Sequence, residues 1–217
     1  MSAVPAFVEA RRSIRAFRAR PVPPVLLDTL VEAACLAPAP HHTRPWRWVV
    51  LADPPRQRAL ADGMGARWRA DLAGDGLPPG RIDDLVAASR ARLVAAPAAL
   101  LGCLTDEGLD RYPDERRRRA EWGMALLALG AAVENLMLTA TDLGLASCWV
   151  AAPIFCPEEA GAALGLDPKW QPHALVLVGY PDPSYVARPR PPVDLAALRA
   201  RFVRDPEPAP GTSPRSG

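Results

Sequence analysis

The sequence predicts a layered fold of the α+β or α/β kind, on three observations. Four short apolar runs have strand length: Trp46 to Ala52, Pro97 to Thr105, Leu145 to Val150 and Ala174 to Tyr180. Helical patterns separate them. One long segment, Arg119 to Leu143, is apolar nearly all round and rich in small residues, so it must be buried on most sides.

Val4 to Ser13 reads as a short helix burying Phe7, Val8 and Ala10. Pro23-Pro24 opens a second helix, because proline suits a first turn. Its Leu26, Leu27, Leu30, Val31 and Ala34 recur at helical spacing, and Pro38 ends it. The next stretch, Ala37 to Trp48 (APAPHHTRPWRW), is the one around which the chain is arranged. A residue before proline is pushed out of the α region, so Ala37 to Pro40 runs extended. Its backbone groups are then available to a ligand, and a polar loop between an apolar helix and an apolar strand is a candidate binding loop.

After the first strand, Pro54 to Leu72 reads as a helix interrupted by Gly63 and Gly65, closed by a loop from Gly74 to Pro79. Arg81 to Ala95 reads as another helix. The five arginines of Arg111 to Arg119 read as a solvated helix start and carry no assigned chemistry. In the long helix, Gly123, Ala125, Ala128, Gly130, Ala131 and Ala132 allow close backbone approach, and Gly144 supplies a left-handed stop. A loop from Ala151 to Phe155 and a helix from Pro157 to Leu164 lead to the last strand. Beyond it, Pro181 to Pro192 is proline-rich, Asp194 to Phe202 reads as a last helix or as an arm on a partner subunit, and 205–217 reads as a polar, disordered tail. One domain over residues 1–204 is expected.

The bulk numbers narrow the function. The 217 residues suffice for a full core, and 49% hydrophobic content argues for a globular rather than a disordered chain. A net charge of +2 gives no electrostatic case for nucleic acid. Glu134 and Asn135 within the long helix argue against a membrane span. The four cysteines form no CxxC pair and sit in apolar company, so reduced buried thiols are expected. With no signal-peptide pattern at the N-terminus, a cytoplasmic protein is expected.

The usual catalytic signatures are missing: there is no GxSxG, HExxH, P-loop or GxGxxG after a strand. His41-His42 has no third neighbouring ligand, so no metal is expected. What remains is anion binding. Arg11, Arg12, Ser13 and Arg15 cluster early, Arg44 and Arg47 flank the central loop, and Arg188 and Arg190 lie late. Guanidinium forks match phosphate oxygens bidentately and a serine hydroxyl adds a donor. The cluster could equally be a solvated helix end. Arginines on chain turns without an acid–base dyad suit a protein that holds a phosphorylated cofactor, which then does the chemistry.

These residues resemble a known family. Arg11-Arg12-Ser13-Ile14-Arg15-Ala16-Phe17, the proline-rich loop into Arg44-Pro45-Trp46, and Gly144 to Trp149 look like the landmarks of the nitroreductase-like FMN enzymes. Pro38 to Pro45, Trp68-Arg69-Ala70-Asp71-Leu72, Asp75-Gly76-Leu77-Pro78 and Ser147-Cys148-Trp149 resemble one branch more closely, the C-terminal domain of two-domain coenzyme F420 γ-glutamyl ligases. The resemblance runs from about Phe7 to Arg190. It implies an α+β, three-layer fold with a mostly antiparallel sheet flanked by helices and the long helix at a homodimer interface. It implies FMN held by Arg11, Arg12, Ser13, Ile14, Arg15 and Arg188, with backbone contacts from Ala39 and Ala151. Asp71, His42 and Arg44 would then meet a deazaflavin substrate, and dehydro-F420-0 would be reduced to F420-0 by hydride transfer from reduced FMN, with no catalytic side chain.

Two departures matter. The ligase half has no counterpart here, so a free-standing reductase is expected, with any γ-glutamyl ligase on a separate chain. Ala151 stands where relatives often carry glycine, a residue small enough to keep the backbone approach. Two other readings stay open: a general NAD(P)H-dependent nitroreductase or quinone reductase, and a binding module for FMN or F420 without turnover.

Overall fold

The structure, a computed structural model, describes residues 4–200. Four strands form one sheet in the order β1-β2-β4-β3, antiparallel throughout: β1 (Trp46–Leu51), β2 (Ala98–Leu104), β3 (Ala146–Val150) and β4 (Gln171–Gly179). The two central strands are the most apolar. β2 is buried along its whole length and β4 from Ala174 onward. This is the α+β architecture expected, with the sheet positions close to those read from the apolar runs; β4 starts three residues earlier than Ala174 because Gln171 and Pro172 still pair with β2.

Helices cover both faces of the sheet. On one face lie α2 (Pro24–Cys35) and α5 (Glu115–Asp142), joined to the sheet by a cluster including Leu27, Leu30, Trp46, Leu100, Leu129, Leu136 and Val176. On the other lie α3 (Pro54–Gly74), α4 (Pro79–Ala95) and α6 (Pro157–Leu164), with Leu60, Met64, Leu93, Leu101, Cys148, Ala160 and Leu177 in the second cluster. By length and a mean hydropathy of 1.5, α5 could cross a membrane. It instead lies along the sheet, and Asn135 Nδ2 donates to the Ala33 carbonyl of α2 at 3.2 Å.

Two expectations change. The first helix, α1 (Ala6–Ala10), ends at Ala10 rather than Ser13 and buries nothing. The chain after it is extended because β3 has an open edge. Ser13 bridges Ser147 in parallel, and the Ile14 N–H donates to the Ser147 carbonyl at 3.0 Å. Pairing along that edge outweighs one more unburied helical turn. Second, α3 runs unbroken through Gly63 and Gly65. A Cβ at Gly63 would lie 3.0 Å from Ala163 Cβ of α6, and one at Gly65 would lie 3.2 Å from Val86 Cγ1 of α4. These glycines mark close helix contacts, not breaks.

The compact unit continues through Ala187, and a second unit opens at Arg188. In that second unit, α7 (Leu195–Leu198) is a single turn capped by Asp194, whose carboxylate accepts from the Ala196 and Ala197 amides at 2.9 and 3.3 Å. The expected continuation to Phe202 and the tail 205–217 lie outside the described residues.

Candidate functional site

The arginine cradle sits on the edge of β3. Arg12, Ser13 and Ile14 are half-buried and Arg15 is exposed. Arg15 donates to the Ser13 carbonyl at 3.2 Å. A hydrogen bond with Tyr185 raises its pKa further, so it is charged at every working pH. Arg11 faces elsewhere, with its Nε 3.0 Å from Glu134 Oε1 on α5. Arg12 forms no hydrogen bond or ion pair among the described residues. Beside the cradle, Ser147 Oγ is buried without a hydrogen-bond partner. A half-buried cation with no counter-ion and an orphaned buried hydroxyl suit an anionic ligand, so the donor set fits a flavin phosphate.

The central loop carries strain. Ala39 is extended, and a 3-10 turn over Pro40–His42 follows. His41, His42 and Arg44 all take left-handed backbone, with φ of 51°, 56° and 51°. Non-glycine residues adopt that region at a cost, and such outliers concentrate at ligand sites. His42 and Arg44 are exposed and, with Cys35, Leu36, Ala37, Pro38 and Ala39, line a cleft of about 390 Å³ at the end of α2.

A third group lies on the other face of the sheet. A cavity of about 410 Å³ opens between α3, α4 and the 3-10 turn Ala152–Phe155. Trp68, Met64, Leu93 and Phe155 give it apolar walls, and Arg67, Asp71 and Arg90 bring charge. Arg67 Nε lies 2.9 Å from Asp71 Oδ1, and Arg90 Nε lies 2.6 Å from Asp62 Oδ1. Ala151 follows β3 immediately before this cavity, adjoining its lining residue Ala152.

Within one chain these groups are not all together. Trp46, at the exit of the loop, is level with Gln171 through Leu104, whereas Ser147 is level with Val178. Loop and cradle therefore lie at opposite edges and opposite ends of the sheet. Along α5 the loop touches Glu121 and the cradle Glu134, which at 1.5 Å per residue are roughly 20 Å apart. Ala151 and Asp71 adjoin the same cavity, while Ala39, His42 and Arg44 belong to the loop. Arg188 and Arg190 belong to the second unit and are exposed.

Sequence reading missed Glu121, Glu134, Arg67, Arg90 and Tyr185. Glu134 was visible only as a charge inside an apolar helix, and Glu121 only as the residue before Trp122. No spacing rule links either to residues 80 or more positions upstream.

The four cysteines are free, and all but Cys35 are buried. Burial pushes the Cys103 thiol up to about 12 and the Cys156 thiol to about 11, so neither is poised as a nucleophile.

The fold and site together define an α+β protein with an anion-binding edge beside β3. Residues 8–180 match the nitroreductase family, and the chain belongs to it. It is accordingly an FMN-dependent oxidoreductase. It is 32% identical over 184 residues to the NADH dehydrogenase of Thermus thermophilus, covering 79% of this chain and 83% of that protein. It is 26% identical over 184 residues to the 5,6-dimethylbenzimidazole synthase of Rhodospirillum rubrum, covering 81% of each. A crystal structure of a nitroreductase with bound FMN from Bacteroides fragilis superposes with a TM-score of 0.70 at 20% identity, covering 94% of this chain and 100% of that one.

Proposed function

We propose that this enzyme reduces the carbon–carbon double bond of a deazaflavin precursor of the dehydro-F420-0 type, as an FMN-loaded homodimer. The observation that carries the reading is the 410 Å³ cavity beside Ala151, because Trp68 and Asp71 of the branch-specific WRxDL motif both line it. Trp68 and Phe155 offer flat apolar surface to a planar ring system. Arg67 and Arg90 offer charge to an anionic side chain, and Asp71 orients Arg67.

Arg12, Ser13, Ile14 and Arg15 would hold the FMN phosphate, and Ala151 would contact the ring through its backbone. Arg188 joins this set on the resemblance alone. When bound, FMN supplies the hydride chemistry; the chain supplies binding and orientation. Ala39, His42 and Arg44 complete the site in a dimer. Leu127 on α5 is 77% exposed and Met124 41% exposed, an apolar strip on the solvent side of that helix. Two copies packed antiparallel along α5 would bring the loop of one to the cradle of the other, bridging the separation within each chain. A reduced-nicotinamide donor is in keeping with the Thermus relative's name, and the free thiols are in keeping with the cytoplasm.

A general nitroreductase or quinone reductase is the second reading, in keeping with the matched family. Titration of F420 into FMN-loaded protein, followed by turnover of the dehydro precursor, separates the two. Saturable deazaflavin binding with turnover supports the first. Nicotinamide-driven reduction of nitroaromatics without deazaflavin binding overturns it.

A further inference from the structure

Glu121 is the one buried charged side chain among the described residues. Its side chain is 3% exposed on α5. Oε1 accepts from the Asp110 amide at 3.2 Å, whereas Oε2 is buried with no partner. A buried carboxyl oxygen in that state calls for a nearby donor. Among the described residues the one basic side chain within 4.0 Å of the carboxyl group is His41, whose Nε2 lies 3.8 Å from Glu121 Oε1 and 3.6 Å from Asp110 Oδ2. His41 is also the first of the left-handed residues in the central loop.

We propose that Glu121 is a positioning residue: with Asp110, it draws the imidazole ring of His41 against α5 and so holds the loop from Pro38 to Arg44 in its strained conformation. This rests on the reading of that loop as part of the FMN site. The strain at His41, His42 and Arg44 persists because tertiary contacts over-determine it. Thr43 Oγ1, donating to the Pro40 carbonyl at 2.8 Å, closes the turn from within, and the His41 pair ties it to the helix from without. The other charged or titratable groups around the pair are Tyr112, which donates to Asp110 Oδ2 at 3.4 Å, Arg117 stacked over the Tyr112 ring, and His42 and Arg44 in the loop itself.

The test is a double-mutant cycle on FMN affinity in the full-length protein, with thermal melts of the apo forms alongside. Glu121→Gln and His41→Gln should each weaken FMN about tenfold, and the double variant should lose no more than the larger single loss. A Glu121→Asp variant should restore part of the affinity. Unchanged FMN affinity in both single variants, fully additive losses, or melting shifts without any change in affinity would each overturn the proposal. Arg12→Ala serves as the control: if it loses FMN while the pair variants do not, the clamp alone is wrong. If Arg12→Ala keeps FMN as well, the site reading and the clamp both fall.

Discussion

The two faces of the sheet are built differently. On the α2–α5 side, α5 alone buries Ala125, Ala128, Leu129, Ala132, Val133, Leu136, Met137 and Ala140, and its alanines let it lie close against the strands. On the other side α4 buries only Ile82 and Leu93. What joins α4 to α3 is a narrow apolar contact at Gly65, Met64 and Leu93, flanked by the ion pairs Arg69 with Asp83 and Arg90 with Asp62, all near half-exposed. Such pairs are individually weak and screened by salt. One face is therefore a packed wall and the other a cover that leaves a 410 Å³ cavity beneath it. The division suits a flavoenzyme. The cofactor needs a fixed frame, and a bulky planar substrate needs a wall that yields.

The sharpest test of that contrast is one apolar deletion on each side. Leu136→Ala, at a fully buried site on α5, should cost about 2–5 kcal/mol, with the cavity term included. Val86→Ala, on the half-buried lining of the cavity, should cost less than about 1 kcal/mol and leave FMN affinity alone. Urea unfolding of the two variants measures both. Equal losses would mean that the α3–α4 cover is as tightly packed as the wall.

Next in size is the cradle. Arg12→Ala removes the cation that has no other partner among the described residues, a charge-assisted contact worth about 1.5–3 kcal/mol. FMN affinity should fall about ten- to a hundredfold, read by flavin fluorescence. Arg11→Ala should do less, because its guanidinium is already paired with Glu134. An equal or larger loss on removing Arg11 would mean that the Glu134 pair opens when phosphate arrives.

The reasons why Arg11 and Arg12 differ show how far the sequence could be read. Strand positions were legible because apolar runs of strand length have few alternatives, and β2 and β4 fell within a few residues of the expected bounds. The glycines of α3 were read as breaks because local propensity is all that a single sequence displays; their purpose is contact with α4 and α6, which is tertiary. The same limit applied to the cradle. RRSIR was recognisable as an anion-binding string, but which arginine stays unpaired depends on α5, more than a hundred residues away. The end of α1 at Ala10 likewise depended on a free edge of β3 that only the assembled sheet reveals.

A smaller effect is expected at Asp71. Asp71→Ala frees Arg67 from its 2.9 Å partner on the exposed cover. Stability should barely move, since both side chains are about half-exposed and the pair is screened by solvent. FMN affinity should hold, while KM for the deazaflavin precursor should rise several-fold with kcat little changed. The split is the informative readout. If FMN is lost together with substrate, the cavity and the cradle are one rigid site and the division between wall and cover is wrong.

The smallest effect concerns the start of the wall. Asp114 caps α5, its carboxylate accepting from the Arg117 amide at 2.9 Å. That bond, with the Arg117 side chain, holds its pKa below the ordinary 3.8. Glu115, beside Arg119 and Arg118, is lowered too. A carboxylate with a depressed folded pKa stabilises the fold above its unfolded value, and the contribution fades as pH falls through the folded one. The melting temperature should therefore be flat with respect to these groups near neutrality and fall below about pH 4. Asp114→Asn isolates the effect. Asparagine caps a helix about as well as aspartate, so the variant should melt close to wild type at pH 7. It should also lose less on acidification, because one titrating group has been removed. Hydrogen exchange locates the change. Acid should loosen the first turns of α5 in the wild type but less so in the variant, with the amides of α3 and α4 responding alike in both. If those helices, rather than α5, distinguish the two proteins, the cap is not what pins the wall, and its stability comes from the apolar face alone.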